Sequence, residues 1–275
     1  MRRVLLALLG GIAILAAGVA MRRPLIDMML YHPMAGIDRA PERLGIDADE
    51  VFVVTEDGVR LHAYHLQAEG ATRAILFLHG NAGNAAHRLP DAERLRRLGA
   101  DVLLLDYRGY GHSEGSPSEA GLYADARAGL AHLTGTLGFD EQRVALFGRS
   151  LGGAVAVDLA QDRKLAGIIL ISTFSSLADV GSRHFTPIAR IFAGRGYRAE
   201  EKIKRVRAPL LFFHGDRDRI VPFELGQRLF AAAPEPKAFE TLSNTGHNDI
   251  VEIGGAAYFA RIGAFLDGVA PTSSR

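Results

Sequence analysis

Three short segments of this 275-residue chain hold residue types that could do nucleophilic chemistry together. Gly148-Arg149-Ser150-Leu151-Gly152 follows the apolar run Val144 to Phe147 and precedes the helix-like stretch Ala154 to Gln161. Strand, sharp turn and helix in that order make a nucleophile elbow, with glycines where side chains beside a strained serine would collide. A serine hydroxyl is a weak nucleophile near neutral pH. Ser150 therefore needs a base within hydrogen-bond reach and a carboxylate that orients the base. Sites built on an elbow of this kind run Ser, then Asp or Glu, then His along the chain. The run Leu210 to Phe213 ends in His214-Gly215-Asp216-Arg217-Asp218, and Asp218 is assigned as the acid because it lies further along the loop. The place after the preceding run reads Ser172-Thr173-Phe174 and has no carboxylate before Asp179. The base is His247, in the loop Thr245-Gly246-His247-Asn248-Asp249 that follows the strand-like Ala238 to Leu242. The bland alternative for the elbow is a glycine-rich loop holding a phosphate at a helix N-terminus.

Acyl transfer also requires donors for the developing oxyanion. One is the backbone N–H of Leu151. The second comes from His79-Gly80-Asn81-Ala82-Gly83-Asn84, with Asn81 N–H assigned and Ala82 as the fallback. The same segment also reads as a tight turn before a helix capped by Asn84. Gly109-Tyr110-Gly111-His112-Ser113-Glu114 lacks the third glycine of a dinucleotide fingerprint, and there is no P-loop or metalloprotease His-Glu pair. Neither a cofactor nor a metal is expected.

The elements that must carry these residues are legible as well. Val51 to Thr55 and Val59 to Leu66 flank Asp57-Gly58, a hairpin signal. Ala74 to Leu78, Val102 to Leu105, Val144 to Phe147, Ile168 to Ile171 and Leu210 to Phe213 are continuous apolar runs, alternating with helical stretches such as Leu89 to Leu98 and Leu122 to Leu133. Continuous runs are strands buried on both faces, and their alternation with helices builds a doubly wound, mostly parallel sheet. An antiparallel N-terminal edge is added by the hairpin. Ligands of open parallel sheets bind outside the carboxyl ends of the strands, where the residues above fall.

Composition excludes some functions. With 32 Lys and Arg against 31 Asp and Glu, the net charge of +1 leaves no basic surplus for a nucleic-acid partner. No cysteine is present, which rules out disulfides, thiol chemistry and cysteine-bound zinc. Between Arg2-Arg3 and Arg22-Arg23, Val4 to Met21 is uncharged and apolar. As a helix it would be about 27 Å long at ~1.5 Å per residue, close to the ~30 Å hydrocarbon core. Residues 1–23 are therefore expected to be a single-pass membrane anchor, with a cleaved signal peptide as the alternative. The two flanking arginine pairs balance, so charge does not orient the anchor. Residues 24–49 read as a connector without chemistry, 50–268 as one catalytic domain, and about 174–207 as a short cap over the site.

Together, the segments His79 to Asn84, Asp106 to Gly115, Gly148 to Gly153, His214 to Pro222 and Gly246-His247 resemble the N-terminally anchored α/β-hydrolases, the serine aminopeptidase-like or abhydrolase-domain proteins. The resemblance implies the α/β-hydrolase fold with the triad Ser150, Asp218 and His247. It also implies cleavage of an ester, thioester or amide in a small-molecule or acylated substrate. Scattered apolar residues of the cap, Phe185, Ile188, Ile191 and Phe192, either line an acyl tunnel or seat the cap on the core. An esterase or thioesterase is the leading expectation. The peptidase reading lacks a site for a charged peptide terminus, and a catalytically silent binding module is disfavoured by three intact catalytic residues.

Overall fold

The computed structural model describes residues 27–184 and 196–269. The expected anchor and the cap residues Phe185, Ile188, Ile191 and Phe192 lie outside the described residues. Among the described residues, no helix is long and apolar enough to cross a membrane.

Eight strands form one sheet: β1 Asp49–Val54, β2 Arg60–Leu66, β3 Ala74–Leu78, β4 Asp101–Leu105, β5 Val144–Arg149, β6 Gly167–Ile171, β7 Leu210–Gly215 and β8 Lys237–Leu242. Their spatial order is β8-β7-β6-β5-β3-β4-β2-β1. β2 runs antiparallel to both neighbours, and the pairings from β4 through β8 are all parallel. This is the α/β-hydrolase sheet.

Every residue of β3 to β7 is buried, as their continuous apolar runs require, with the polar Asp101, Arg149 and His214 at strand ends buried as well. Because alternate side chains point to opposite faces, each strand feeds two cores. Ile75, Phe77, Leu104, Phe147, Ile169 and Phe213 pack on α1 (Leu89–Arg96) and on the last helix (Ile250–Gly268). Leu76, Leu78, Leu105, Leu146, Leu170 and Phe212 pack on α2 (Glu119–Ala131), α3 (Leu151–Leu159) and α4 (Phe223–Ala232). The last helix is α5. The start of α2 precedes the expected Leu122 because Ser118 caps it, its Oγ accepting the Gly121 N–H at 3.1 Å. At its end α1 stops short of the expected Leu98, where the chain turns through Gly99 at φ 77°.

The Asp57-Gly58 signal marks a wider turn than a two-residue hairpin. Thr55 closes it, with Thr55 N–H donating to Val59 O at 2.9 Å and its Oγ accepting the Val59 N–H at 2.9 Å. Asp57 is thereby free to meet Arg108, at 2.8 Å.

The segment expected to be a plain connector is built into the domain. His32–Pro33 pairs in parallel with Ala82–Gly83, and Ala35 bridges to Gly111. Tyr31, 4% exposed, shares a 2.7 Å hydroxyl contact with Tyr197 in the second half of the cap region.

Candidate active site

Ser150 sits between β5 and α3 at φ 52°, ψ −115°, a conformation that costs of order 1–3 kcal/mol and persists only where surroundings impose it. They do so here. Its N–H donates to Ile171 O on β6 at 2.7 Å, and its carbonyl accepts the Gly153 N–H at 3.0 Å. A side chain at Gly152 would run into the backbone carbonyls of Leu78 and His79, and one at Gly148 into the backbone of Gly152 and Gly153. Both glycines are demanded by close approach of α3 to β3 and β5.

Asp218 lies in the loop between β7 and α4, buried to 6% exposure. Its Oδ1 accepts the N–H of Ile220 at 2.9 Å and of Val221 at 2.8 Å. Its Oδ2 lies 2.7 Å from His247 Nδ1 and 3.4 Å from His214 Nε2. Burial pushes this carboxyl up, but the hydrogen bonds from His214 and His247, with the Val221 N–H, outweigh it and hold the group well below the usual carboxylate range. An ionised acceptor at Oδ2 makes His247 Nδ1 the donor. That leaves Nε2 of neutral His247 with a free lone pair, the state a general base needs. The loop of His247 is tied to the elbow by Arg149, the residue before the serine, whose guanidinium donates to Asn248 O at 3.2 Å.

Asp216 has a different environment. It is exposed, and its Oδ1 accepts only a 3.3 Å bond from the Thr245 N–H, across the turn that leads to His247.

The loop after β3 carries Asn81 and Ala82, the residues expected to supply the second oxyanion donor. His79 Nδ1 lies 2.7 Å from Gly80 O, and Tyr107 donates to His79 O at 3.1 Å. Asn81 O accepts the His32 N–H at 3.0 Å and the Tyr110 hydroxyl at 2.8 Å. In a trans peptide the N–H points opposite to the carbonyl. Fixing the carbonyls of Gly80 and Asn81 therefore fixes the directions of the Asn81 and Ala82 N–H groups. Asn84 stands, as expected, at the N-cap of the helical turn Ala85–Arg88, where its N–H donates to His87 Nδ1 at 3.1 Å. Its Nδ2 donates to Gly36 O at 2.8 Å, fastening the N-terminal segment over the loop. Leu151 begins α3, so its N–H belongs to the unpaired first turn of a helix.

Three contributors escaped the sequence reading. His214 is the second imidazole on Asp218, Tyr110 braces Asn81, and residues 30–36 edge the loop. For His214 a signal existed, since it stands four residues before the acid at a strand end. Nothing local marked the other two.

The fold and this geometry define an α/β-hydrolase, and the chain belongs to the α/β-hydrolase family. Residues 70–194 match the family described as Serine aminopeptidase, S33. An uncharacterized protein of Mycobacterium tuberculosis is 41% identical over 265 residues, covering 93% of this chain and 92% of its own. The α/β-hydrolase domain-containing protein WAV2 of Arabidopsis thaliana is 34% identical, covering 95% and 93%. The esterase Pf2001 of Pyrococcus furiosus superposes with a TM-score of 0.74 over 87% of this chain and 98% of its own, at 22% identity, a likeness of fold.

Proposed function

We propose that the protein is a serine hydrolase that cleaves an ester or thioester through an acyl-enzyme. The observation that carries this reading is the buried Asp218 carboxylate, fixed by two backbone N–H groups and 2.7 Å from His247 Nδ1. Ser150 Oγ attacks the carbonyl carbon while His247 Nε2 takes its proton, and Asp218 stabilises the imidazolium. The negative oxygen of the tetrahedral intermediate is held by the N–H groups of Leu151 and Asn81. Collapse expels the alcohol or thiol, which leaves with the proton from His247. Water then repeats the sequence on the acyl-serine, releasing the acid and restoring Ser150. A fluorophosphonate probe should label the purified protein on Ser150 and fail on Ser150→Ala. Labelling undiminished in that variant would end the assignment.

The uncharged run Val4 to Met21 between arginine pairs supports residues 1–23 as a membrane anchor, which would favour lipid-like or acylated substrates. The full chain should then resist alkaline extraction from membranes, and release into the supernatant would contradict the anchor. The family description favours a second reading, a peptidase. Aminoacyl-naphthylamide turnover exceeding that of p-nitrophenyl esters would select it.

A further inference from the structure

Far from Ser150 in the strand order, at the antiparallel edge, two imidazoles and a carboxylate converge. Glu50 lies on β1 and His62 on β2, where His62 pairs with Phe52 and so stands diagonal to Glu50 on the same face. His112 arrives from the loop after β4. Nε2 of His62 is 3.2 Å from Glu50 Oε1, and Nδ1 of His112 is 3.0 Å from the same oxygen. All three ligand atoms lie within 4.8 Å of one another.

The chemistry of His62 makes this arrangement specific. Its ring is fully buried, and Nδ1 lies 2.7 Å from Oδ2 of the equally buried Asp106, whose Oδ1 accepts the Ala85 N–H at 2.7 Å. The carboxylate accepts, so Nδ1 carries the proton, and Nε2 of the neutral ring presents a lone pair. That Nε2 has no hydrogen-bond partner and faces the Glu50 oxygen. Two electron pairs pointed at each other across this gap call for a positive centre between them. A carboxylate that orients a histidine through Nδ1 while Nε2 ligates is the usual outer support of a metal site. Zinc bonds to nitrogen and oxygen at about 2.0–2.2 Å, which sets neighbouring ligand atoms about 3.3 Å apart in a tetrahedron. The spacings of 3.0 and 3.2 Å to Glu50 need adjustments of a few tenths of an ångström, and the remaining spacing between the two imidazoles, within 4.8 Å, closes by movement of the half-exposed His112. The side chains of Glu50 and His112 are 46% and 47% exposed, so an ion has an entry path and water can complete its shell. Among the described residues, the Glu50 carboxylate meets no lysine or arginine that would compete for it; the nearby Arg60 guanidinium stacks on Phe52 instead.

We propose that Glu50 Oε1, His62 Nε2 and His112 Nδ1 form a binding site for a divalent first-row transition ion of the zinc class, with Asp106 as the group that orients His62. Two imidazoles and one carboxylate suit this class better than calcium or magnesium, which take oxygen ligands. The ion clips the loop after β4 to the first two strands. His62 lies three strands along the sheet from the strand that leads into Ser150, and none of the three ligands belongs to the proposed triad, so the site is tested independently of the hydrolase reading.

The test uses the full-length protein, free of any purification tag and stripped with EDTA. Calorimetric titration with ZnCl2 should show one saturable equivalent per chain, with a raised thermal midpoint at saturation. Co2+ should give visible ligand-field absorption. His112→Ala and Glu50→Gln alter exposed side chains and should leave circular dichroism unchanged. Each should weaken zinc binding at least about tenfold, and the double variant should lose both the calorimetric site and the cobalt bands. If the folded wild-type chain takes up no stoichiometric zinc, or the folded double variant binds it equally, the proposal is overturned. In the first case the cluster holds a proton in place of the metal.

Discussion

Replacing Asp218 by asparagine changes one atom and almost no volume, yet the hydrogen-bond geometry makes its consequence calculable. The carboxylate has four neighbours in two pairs. Oδ1 accepts the N–H groups of Ile220 and Val221, while Oδ2 faces the ring nitrogens of His247 at 2.7 Å and His214 at 3.4 Å. An asparagine must keep its oxygen toward the two backbone donors, because the reverse orientation would set its NH2 against both. Its NH2 then faces His247, whose Nδ1 can stay bonded only by becoming an acceptor. The ring proton moves to Nε2, where it blocks uptake of the serine proton. An asparagine in this role has cost about 10⁴ in turnover in another triad, about 5.5 kcal/mol at 1.36 kcal/mol per tenfold. The same swap leaves the His214 Nε2–H, already directed at Val221 O at 2.9 Å, facing a donor. With that proton already bonded, only the long 3.4 Å contact to Oδ2 is disturbed, so stability should fall by about 1 kcal/mol. The assay is p-nitrophenyl butyrate turnover with urea unfolding on the same preparations, and Asp216→Asn is the control. That exposed residue carries one long bond, so its turnover should stay within about twofold and its stability within ~1 kcal/mol. Turnover of Asp218→Asn within tenfold of wild type would refute the tautomer argument. Collapse in the Asp216 variant alone would move the acid.

Acid stability follows from two carboxyls. Asp218 and Asp106 are both held below their unfolded values despite burial, by hydrogen bonds from His214 and His247 in one case and His62 and His79 in the other. Their stabilisation is fully present above about pH 4 and is lost as pH falls through the folded values; urea midpoints should drop below pH 4, and an equal drop in Asp218→Asn would count against that residue's share. Gly152→Ala should yield little folded protein, since its Cβ has no room against Leu78 and His79; a soluble variant with the wild-type thermal midpoint would contradict the tight elbow. Tyr110→Phe removes the 2.8 Å bond to Asn81 O and should lower kcat about fivefold at unchanged KM, for a bond worth ~1 kcal/mol. A wild-type kcat would show that the loop needs no brace. A chain beginning at Pro24 should keep ester hydrolysis, whereas one beginning at Asp38 loses the pairing of His32–Pro33 with Ala82–Gly83 and should be impaired in turnover while folded. Equal activity of the two would separate the N-terminal segment from the site.

What the sequence made legible was local or periodic. The strand Ala74–Leu78 is bounded where its apolar run is bounded, because a polar side chain buried there would need its own partner. The elbow glycines announced themselves because the backbone geometry at Ser150 excludes side chains. The choice between Asp216 and Asp218 rested on loop reach and on the family resemblance, and the structure sets Asp218 beside His247 and Asp216 beside Thr245. What stayed hidden was non-local. Nothing near His32 marks it as a partner of Ala82, and Glu50, His62 and His112 are scattered through three segments that only the sheet register brings together. Searches for metal sites in sequence look for closely spaced ligands, and these have none. Residues 30–36 looked like part of a spacer because the Pro, Arg and Asp scattered through residues 24–49 describe many loops equally well.

The tyrosine pair at the N-terminal edge sets an order in time. Tyr31 is synthesised 166 residues before the Tyr197 hydroxyl it meets. At about 5–20 residues per second a ribosome takes roughly 8 to 33 seconds to bridge that interval. Through all of it the segment that edges the Asn81 loop lacks its far partner, and His247 is made later still. A nascent chain therefore presents Ser150 well before Asp218 and His247 exist, so the proposed triad can act only after nearly the whole polypeptide has been made.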